Sequence, residues 1–276
     1  MQLYQDKSKN IFIRAKEIHI GNNTSFGSNI YVDVKGGFSI GDRSRLGYNV
    51  KIEGRDIFIG KDLYHSEGLR IGGGGHTNPT ANFSIGDRCT IHNNYINIAE
   101  PVIVGNDVGL SLDVSILTHG YWLSVLEGFP AEFSGITIDD GTIIGYRSTI
   151  LMGVHIYKNI VIGANSVATK NLTNTNSIYA GNPARFIKEV VPLPKEERIK
   201  TINHIIDKYK EIAVYHKINP NITVNYPYIH VNKCKFDVEK LEFSGKEDEE
   251  TDDFRDYVRK WGLRFYSDRP FKSVYK

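Results

Sequence analysis

Aliphatic or Phe residues return at every sixth position along much of this chain. The longest run is Ile138, Ile144, Ile150, Ile156 and Ile162; others are Ile20, Phe26, Val32, then Ile40, Leu46, Ile52, then Ile85, Ile91, then Val104, Leu110, Ile116. A helix repeats near 3.6 residues and a strand near 2, so neither produces a period of six. A chain that turns a corner after each very short strand does, and three such sides close a triangle. The expected fold is mainly β: a parallel β-helix over residues 1–190, with each aliphatic side chain pointing into the prism and stacking on its copies in adjoining coils. Each large side chain buried this way contributes roughly 1.5–3 kcal/mol, and no coil is stable alone.

Gly often follows the aliphatic position, as in Ile20-Gly21, Ile40-Gly41, Ile59-Gly60, Ile85-Gly86, Val104-Gly105, Ile144-Gly145 and Ile162-Gly163, with Asn and Asp close behind. Such residues suit corners that require positive φ. Two segments break the beat: Gly72 to Ser84, which holds four successive glycines and His76, and Thr118 to Gly135, which holds His119, Tyr121, Trp122 and Pro130. Insertions in a solenoid become loops on one face, often the binding face. Beyond Pro192 and Pro194 the texture changes. Lys195 to about Lys217 reads as an amphipathic helix with Ile199, Ile202, Ile206, Tyr209 and Ala213 on one stripe. Ile222 to Asn232 and Lys235 to Ser244 read as strands, and the acidic run from Glu247 opens a helix reaching about Trp261. Residues 191–276 are thus expected to form a helix plus a small α+β appendage.

Composition narrows the function classes. A net charge of +2 over 276 residues gives no argument for nucleic acid or an anionic membrane. Mean hydropathy is −0.32 and no long apolar run occurs, so membrane insertion is not expected. The polar start from Met1 to Asn10 lacks an apolar signal core, which points to a cytoplasmic protein. Cys89 and Cys234 stand far apart outside any CxxC pattern, so neither a zinc site nor a disulfide framework is expected.

One stretch carries a family likeness. Ile162-Gly163-Ala164-Asn165-Ser166-Val167-Ala168-Thr169-Lys170, followed by Ala180-Gly181-Asn182-Pro183-Ala184-Arg185, resembles the closing coils of the hexapeptide-repeat acyltransferases. Ile144-Gly145 through Met152-Gly153-Val154-His155-Ile156 resembles the coil before them. The likeness covers most of residues 20–190 and stops short of the C-terminal region. It implies a left-handed winding, a homotrimer with sites between neighbouring prisms, and acetyl transfer from acetyl-CoA to a sugar or nucleotide-sugar, as in the maltose, galactoside and exopolysaccharide acetyltransferases of polysaccharide biosynthesis. No metal is expected.

The resemblance also distributes roles. His119, in Ser115-Ile116-Leu117-Thr118-His119-Gly120, stands where the family keeps its general base. Imidazole suits that task because it titrates near working pH and can take a proton and return it. Gly145, Tyr146 and Ala164 are implied contacts of the pantetheine arm, Thr169 and Lys170 of the adenine and 3′-phosphate, and Arg185 of the phosphates. On the acceptor side stand Tyr121, Trp122, Asn97 (where galactoside-type members place an acidic residue) and His76. Glu100 and Asp113 could orient His119. Two other readings compete: a zinc-dependent hydratase of γ-carbonic-anhydrase type and a β-helix that binds without catalysis. The first needs several His on one metal, whereas the loop after Ile116 offers only His119 and the next, His155, lies in a coil. Against the second stand Thr169-Lys170 and the Asn-Pro-Ala-Arg close, phosphate donors that a purely structural prism does not need.

Overall fold

The computed structural model describes residues 1–73, 78–270 and 274. It divides into two compact units, Met1–Val191 and Pro192–Lys276. The first is a parallel β-helix of about eight turns. Its first face stacks Ile11–Ala15, Ile30–Val34, Val50–Gly54, Arg70–Gly72, Tyr95–Asn97, Ser115–Ile116, Thr149–Ile150 and Val167–Ala168. The second begins with Glu17–Ile20 and ends with His155–Ile156; the third runs from Ser25–Phe26 to Ser177–Ala180. The chain visits the faces in that order in every coil. Gln2–Asp6 and Arg185–Glu189 pair antiparallel with the first and third faces. They cover strand edges that would otherwise offer unpaired backbone groups.

The six-residue beat translates directly into burial. Ile138, Ile144, Ile150, Ile156 and Ile162 all point inward and are almost wholly hidden from solvent. A polar ring interrupts the pattern in the middle of the third face. His65, fully buried, holds the place that Leu46 and Ile91 fill in adjoining coils. Its Nδ1 accepts the Gly47 N–H at 3.1 Å, while Nε2 has no hydrogen-bond partner. Burial pushes its pKa down from 6.5 to about 4.

The corner glycines serve a different purpose from the one expected. A Cβ on Gly41 would lie 2.5 Å from the backbone nitrogen of Lys61, and one on Gly145 2.6 Å from the carbonyl of Ile162. These glycines are demanded by the close approach of the next coil. The left-handed conformation falls two residues later, on Asn23, Arg43, Asp62, Arg88, Asp107 and Arg147. Coil-to-coil ion pairs brace that column: Arg43 grips Asp62 at 2.8 and 2.9 Å, and Arg88 grips Asp107 at 2.9 and 2.7 Å.

The second unit contains α1 (Lys195–Tyr215), a four-stranded antiparallel sheet and α2 (Glu249–Arg259). The two long strands expected from sequence are each folded into a hairpin. Ile222–Asn225 and Tyr228–Val231 flank a turn at Tyr226-Pro227, and Cys234–Asp237 is separated from Glu242–Gly245 by a turn at Val238–Leu241. Ile202, Ile205, Ile206 and Tyr209 of α1 share a core with Ile229, Phe236, Phe254 and Val258. Asp248 caps α2, its carboxylate accepting the Thr251 N–H at 2.8 Å while the Thr251 hydroxyl accepts the Asp248 N–H.

Candidate functional site

The Thr118–Gly135 segment leaves the prism at the edge between the first and second faces. It is a short hairpin: His119 pairs with Phe133 and Gly120 with Glu132. The hairpin lies close on the coils at either side, since a Cβ on Gly120 would sit 2.8 Å from Met152 Cε in the next coil and one on Gly135 2.9 Å from the Pro101 carbonyl in the preceding one. At its tip a 3-10 turn, Val125–Glu127, starts on Ser124 and ends on Gly128 at φ 89°.

His119 is held from beneath. Asn97, in the preceding coil and only 2% exposed, places Oδ1 2.9 Å from His119 Nδ1. The same oxygen accepts the Thr118 hydroxyl at 2.6 Å and the Ala99 N–H at 3.1 Å. A backbone N–H can only donate, so this atom is an acceptor and the His119 nitrogen facing it carries the proton. In the neutral ring Nε2 is therefore the nitrogen with the lone pair, the one a general base would use. Glu100 and Asp113 do not perform this task. The Glu100 carboxylate accepts the Thr80 hydroxyl at 3.0 Å, and Asp113 stands across the first face, bound by Asn93 and by Arg147 at 3.3 Å.

Aromatic rings surround the imidazole. Phe133, which the sequence did not single out, stacks on His119 with centroids 5.5 Å apart and planes 10° apart. Tyr121 lies 5.3 Å from both His119 and Phe133, and Trp122 stacks on Tyr121 at 6.0 Å. Trp122 is 95% exposed, so this wall faces open solvent. Only the pairing of His119 with Phe133 across the hairpin brings that Phe into the site, and a local sequence pattern cannot show it.

The residues expected to hold the cofactor separate into two groups. Thr169 and Lys170 lie on the same prism edge as His119, two coils further on. With Glu132, Met152, Gly153 and Asn171 they line a shallow groove of about 390 Å³. Gly145, Tyr146, Ala164 and Arg185 sit on the edge between the third and first faces. There the Asn165 N–H donates to the Tyr146 carbonyl at 2.8 Å and Arg185 pairs with Ala180. Arg147 covers the Tyr146 ring at 4.8 Å. The whole width of the first face stands between the two groups. His76 lies outside the described residues. Among the described residues no three His, Cys, Asp or Glu side chains gather as metal ligands.

Residues 17–53 and 135–170 match the family described as the hexapeptide repeat of succinyl-transferase. The galactoside O-acetyltransferase of Escherichia coli is 32% identical over 139 residues, half of this chain and 63% of that protein. The gamma carbonic anhydrase 1 of Arabidopsis thaliana mitochondria is 30% identical over 94 residues, 34% of this chain and 33% of that protein. The chain thus spans between a third and about two thirds of the length of these relatives. A maltose O-acetyltransferase from Clostridium difficile, known by crystal structure, is 22% identical over 65% of this chain and 70% of its own, with a TM-score of 0.30. The six-residue beat and the stacked three-sided coils make residues 1–191 a parallel β-helix, two segments of which match the hexapeptide-repeat model.

Proposed function

We propose that the chain is a CoA-dependent acyltransferase that moves an acetyl group from acetyl-CoA to a sugar hydroxyl or amine. The observation that carries this is the lone pair left on His119 Nε2 by the Asn97 contact, beside an open aromatic wall. In this reading Nε2 takes the proton of the acceptor O–H or N–H as that atom attacks the thioester carbonyl. A new bond to oxygen or nitrogen forms, the carbon–sulfur bond breaks, and the departing sulfur recovers the proton from His119. Asn97 holds the ring and its tautomer through the cycle. Tyr121 and Trp122 would flank the sugar ring, whose apolar face suits aromatic surfaces.

The cofactor reading assigns Lys170 and Arg185 to phosphate groups, for which their donors are suited. Because the two cofactor groups lie on opposite edges of the first face, one copy cannot bring them together. Three copies with their first faces turned to a common axis would set the His119 edge of one beside the Tyr146 edge of the next. The outward residues of the lower first face, Ser115, Thr149 and Val167, are small and allow such an approach. This favours a homotrimer acting on a sugar or nucleotide-sugar. Calorimetric titration with CoA tests the reading: binding that weakens in Lys170→Ala and Arg185→Ala supports it, and a protein that does not bind CoA contradicts it.

A further inference from the structure

A long groove of the prism lies away from the aromatic wall, along the second face. It has a volume of about 780 Å³ and crosses five successive strands, from Glu17–Ile20 to Val102–Val104. At a strand spacing of roughly 4.8 Å it extends about 19 Å along the prism. Its floor follows the outward row His19, Ser39, Phe58, Ser84 and Ile103, each in register with the next. Phe58 and Ile103, 54% and 52% exposed, stand as ribs two coils apart, with Ser84 as the notch between them and Ser39 on the far side of Phe58. Glu17, Asp56 and Asn82 form a polar rim, and Gln2 reaches the far end, where its carbonyl oxygen accepts the Ile18 N–H at 2.6 Å.

The near end of the groove meets the His119 hairpin. Pro101 lines the groove, and its carbonyl accepts the N–H of Ile136, the residue at which the excursion rejoins the prism, at 2.9 Å. In the next position back, the Glu100 N–H donates to Thr118 Oγ1, the hydroxyl that also binds Asn97. A chain lying in the groove would therefore run along the prism edge towards the imidazole.

The geometry points to an extended acceptor subsite: the second face holds an uncharged oligosaccharide chain whose end is presented to His119. This rests on the acyltransfer reading and names its acceptor as a glycan chain. Three features select that occupant. Among the described residues no Lys or Arg lines the groove, while Glu17 and Asp56 do, so a polyanionic glycan or a nucleotide diphosphate is poorly matched. Alternating apolar ribs and hydroxyls suit rings that are apolar on their faces and polar at their rims. The notches recur at every second coil, matching a ligand that itself repeats. With the first faces turned inward in a trimer, this face stays open.

The test uses the full-length protein and uncharged maltose-, cellobiose- and N-acetylglucosamine-type oligomers, from monosaccharide to hexasaccharide, titrated calorimetrically without CoA. At least one series is expected to bind more tightly with length, by about tenfold or more from mono- to tetrasaccharide, and oligogalacturonate to bind more weakly. Phe58→Ala and Ser84→Trp, both on the outer surface, should each erase that gain, lowering tetrasaccharide affinity about tenfold while CoA affinity and melting temperature stay at wild-type values. Affinity that does not depend on length, no binding by any series, or variants that bind like wild type overturns the proposal. A wild-type protein that binds the oligomers but not CoA would instead overturn the acyltransfer reading and leave the groove standing.

Discussion

Asn97 and His119, twenty-two residues apart in sequence, meet edge to edge at 2.9 Å because one coil of the prism lies on the next. The contact fixes which ring nitrogen is free, since Asn97 Oδ1 is already committed to a backbone N–H and a hydroxyl. Replacing Asn97 by Ala should lower kcat about 10- to 100-fold, the scale seen when the outer hydrogen-bond partner of a metal-bound histidine is removed, with little change in the KM for acetyl-CoA. Asn97→Asp should keep the ring in place and set a carboxylate beside it. The acid limb of the kcat profile should then move to higher pH, because a negative neighbour favours imidazolium. A purely structural role for Asn97 would lower stability without moving that limb.

His65 should make the prism acid-sensitive. Folded, it resists protonation until about pH 4, against 6.5 for the free side chain. Between those values the unfolded chain binds more protons, so the contribution is fully present above about pH 6.5 and is lost as pH falls towards 4. The loss at pH 5 is on the order of 2 kcal/mol. His65→Leu removes the partnerless Nε2 but leaves the buried Gly47 N–H without its acceptor. Near pH 7.5 the variant should therefore match wild type within about 1 kcal/mol. At pH 5 it should be clearly more stable. Urea denaturation at both pH values checks this, and equal acid sensitivity of the two proteins would count against it.

Gly145 tests the close approach at the corner. A methyl group there would meet the backbone of the next coil at 2.6 to 2.8 Å. Gly145→Ala should cost about 1–3 kcal/mol, as overpacking does, lowering the melting temperature and weakening CoA binding together. A Gly128→Ala control separates this cause from strain: nothing lies within 4 Å of that Cβ, and φ there is 89°.

Much of the fold is legible in the sequence because a period of six admits few geometries, and every inward isoleucine of the 138–162 run is where the beat puts it. His119 and Asn97 are legible as residues, but their contact is not, since it depends on coil-to-coil register. Phe133 is hidden for a related reason: it reaches His119 by antiparallel pairing inside an irregular excursion. The glycines were visible while their physical purpose was misread, because close approach and positive φ favour the same residue type. His65 is invisible as a core residue, since the beat there puts a polar ring in an aliphatic place. The Gln2–Asp6 strand carries no repeat, and only the open edge beside it explains why it forms.

If the site is shared between copies, two inactive variants should rescue each other. His119→Ala keeps the edge of Gly145 and Arg185, and Arg185→Ala keeps the edge of His119. Unfolded together in equal amounts and refolded, they should recover about a quarter of wild-type activity, because one interface in four joins two intact edges in a random cyclic assembly. A site contained in one chain would give no recovery.

The most direct measurement is the rate of thiol release from acetyl-CoA with a sugar acceptor, wild type against His119→Ala, with CoA affinity measured on both. Release should fall by about 100-fold or more, the range for losing a general base, at unchanged CoA affinity and melting temperature. A His119→Ala protein that turns over at the wild-type rate would contradict the assignment of His119 as the base.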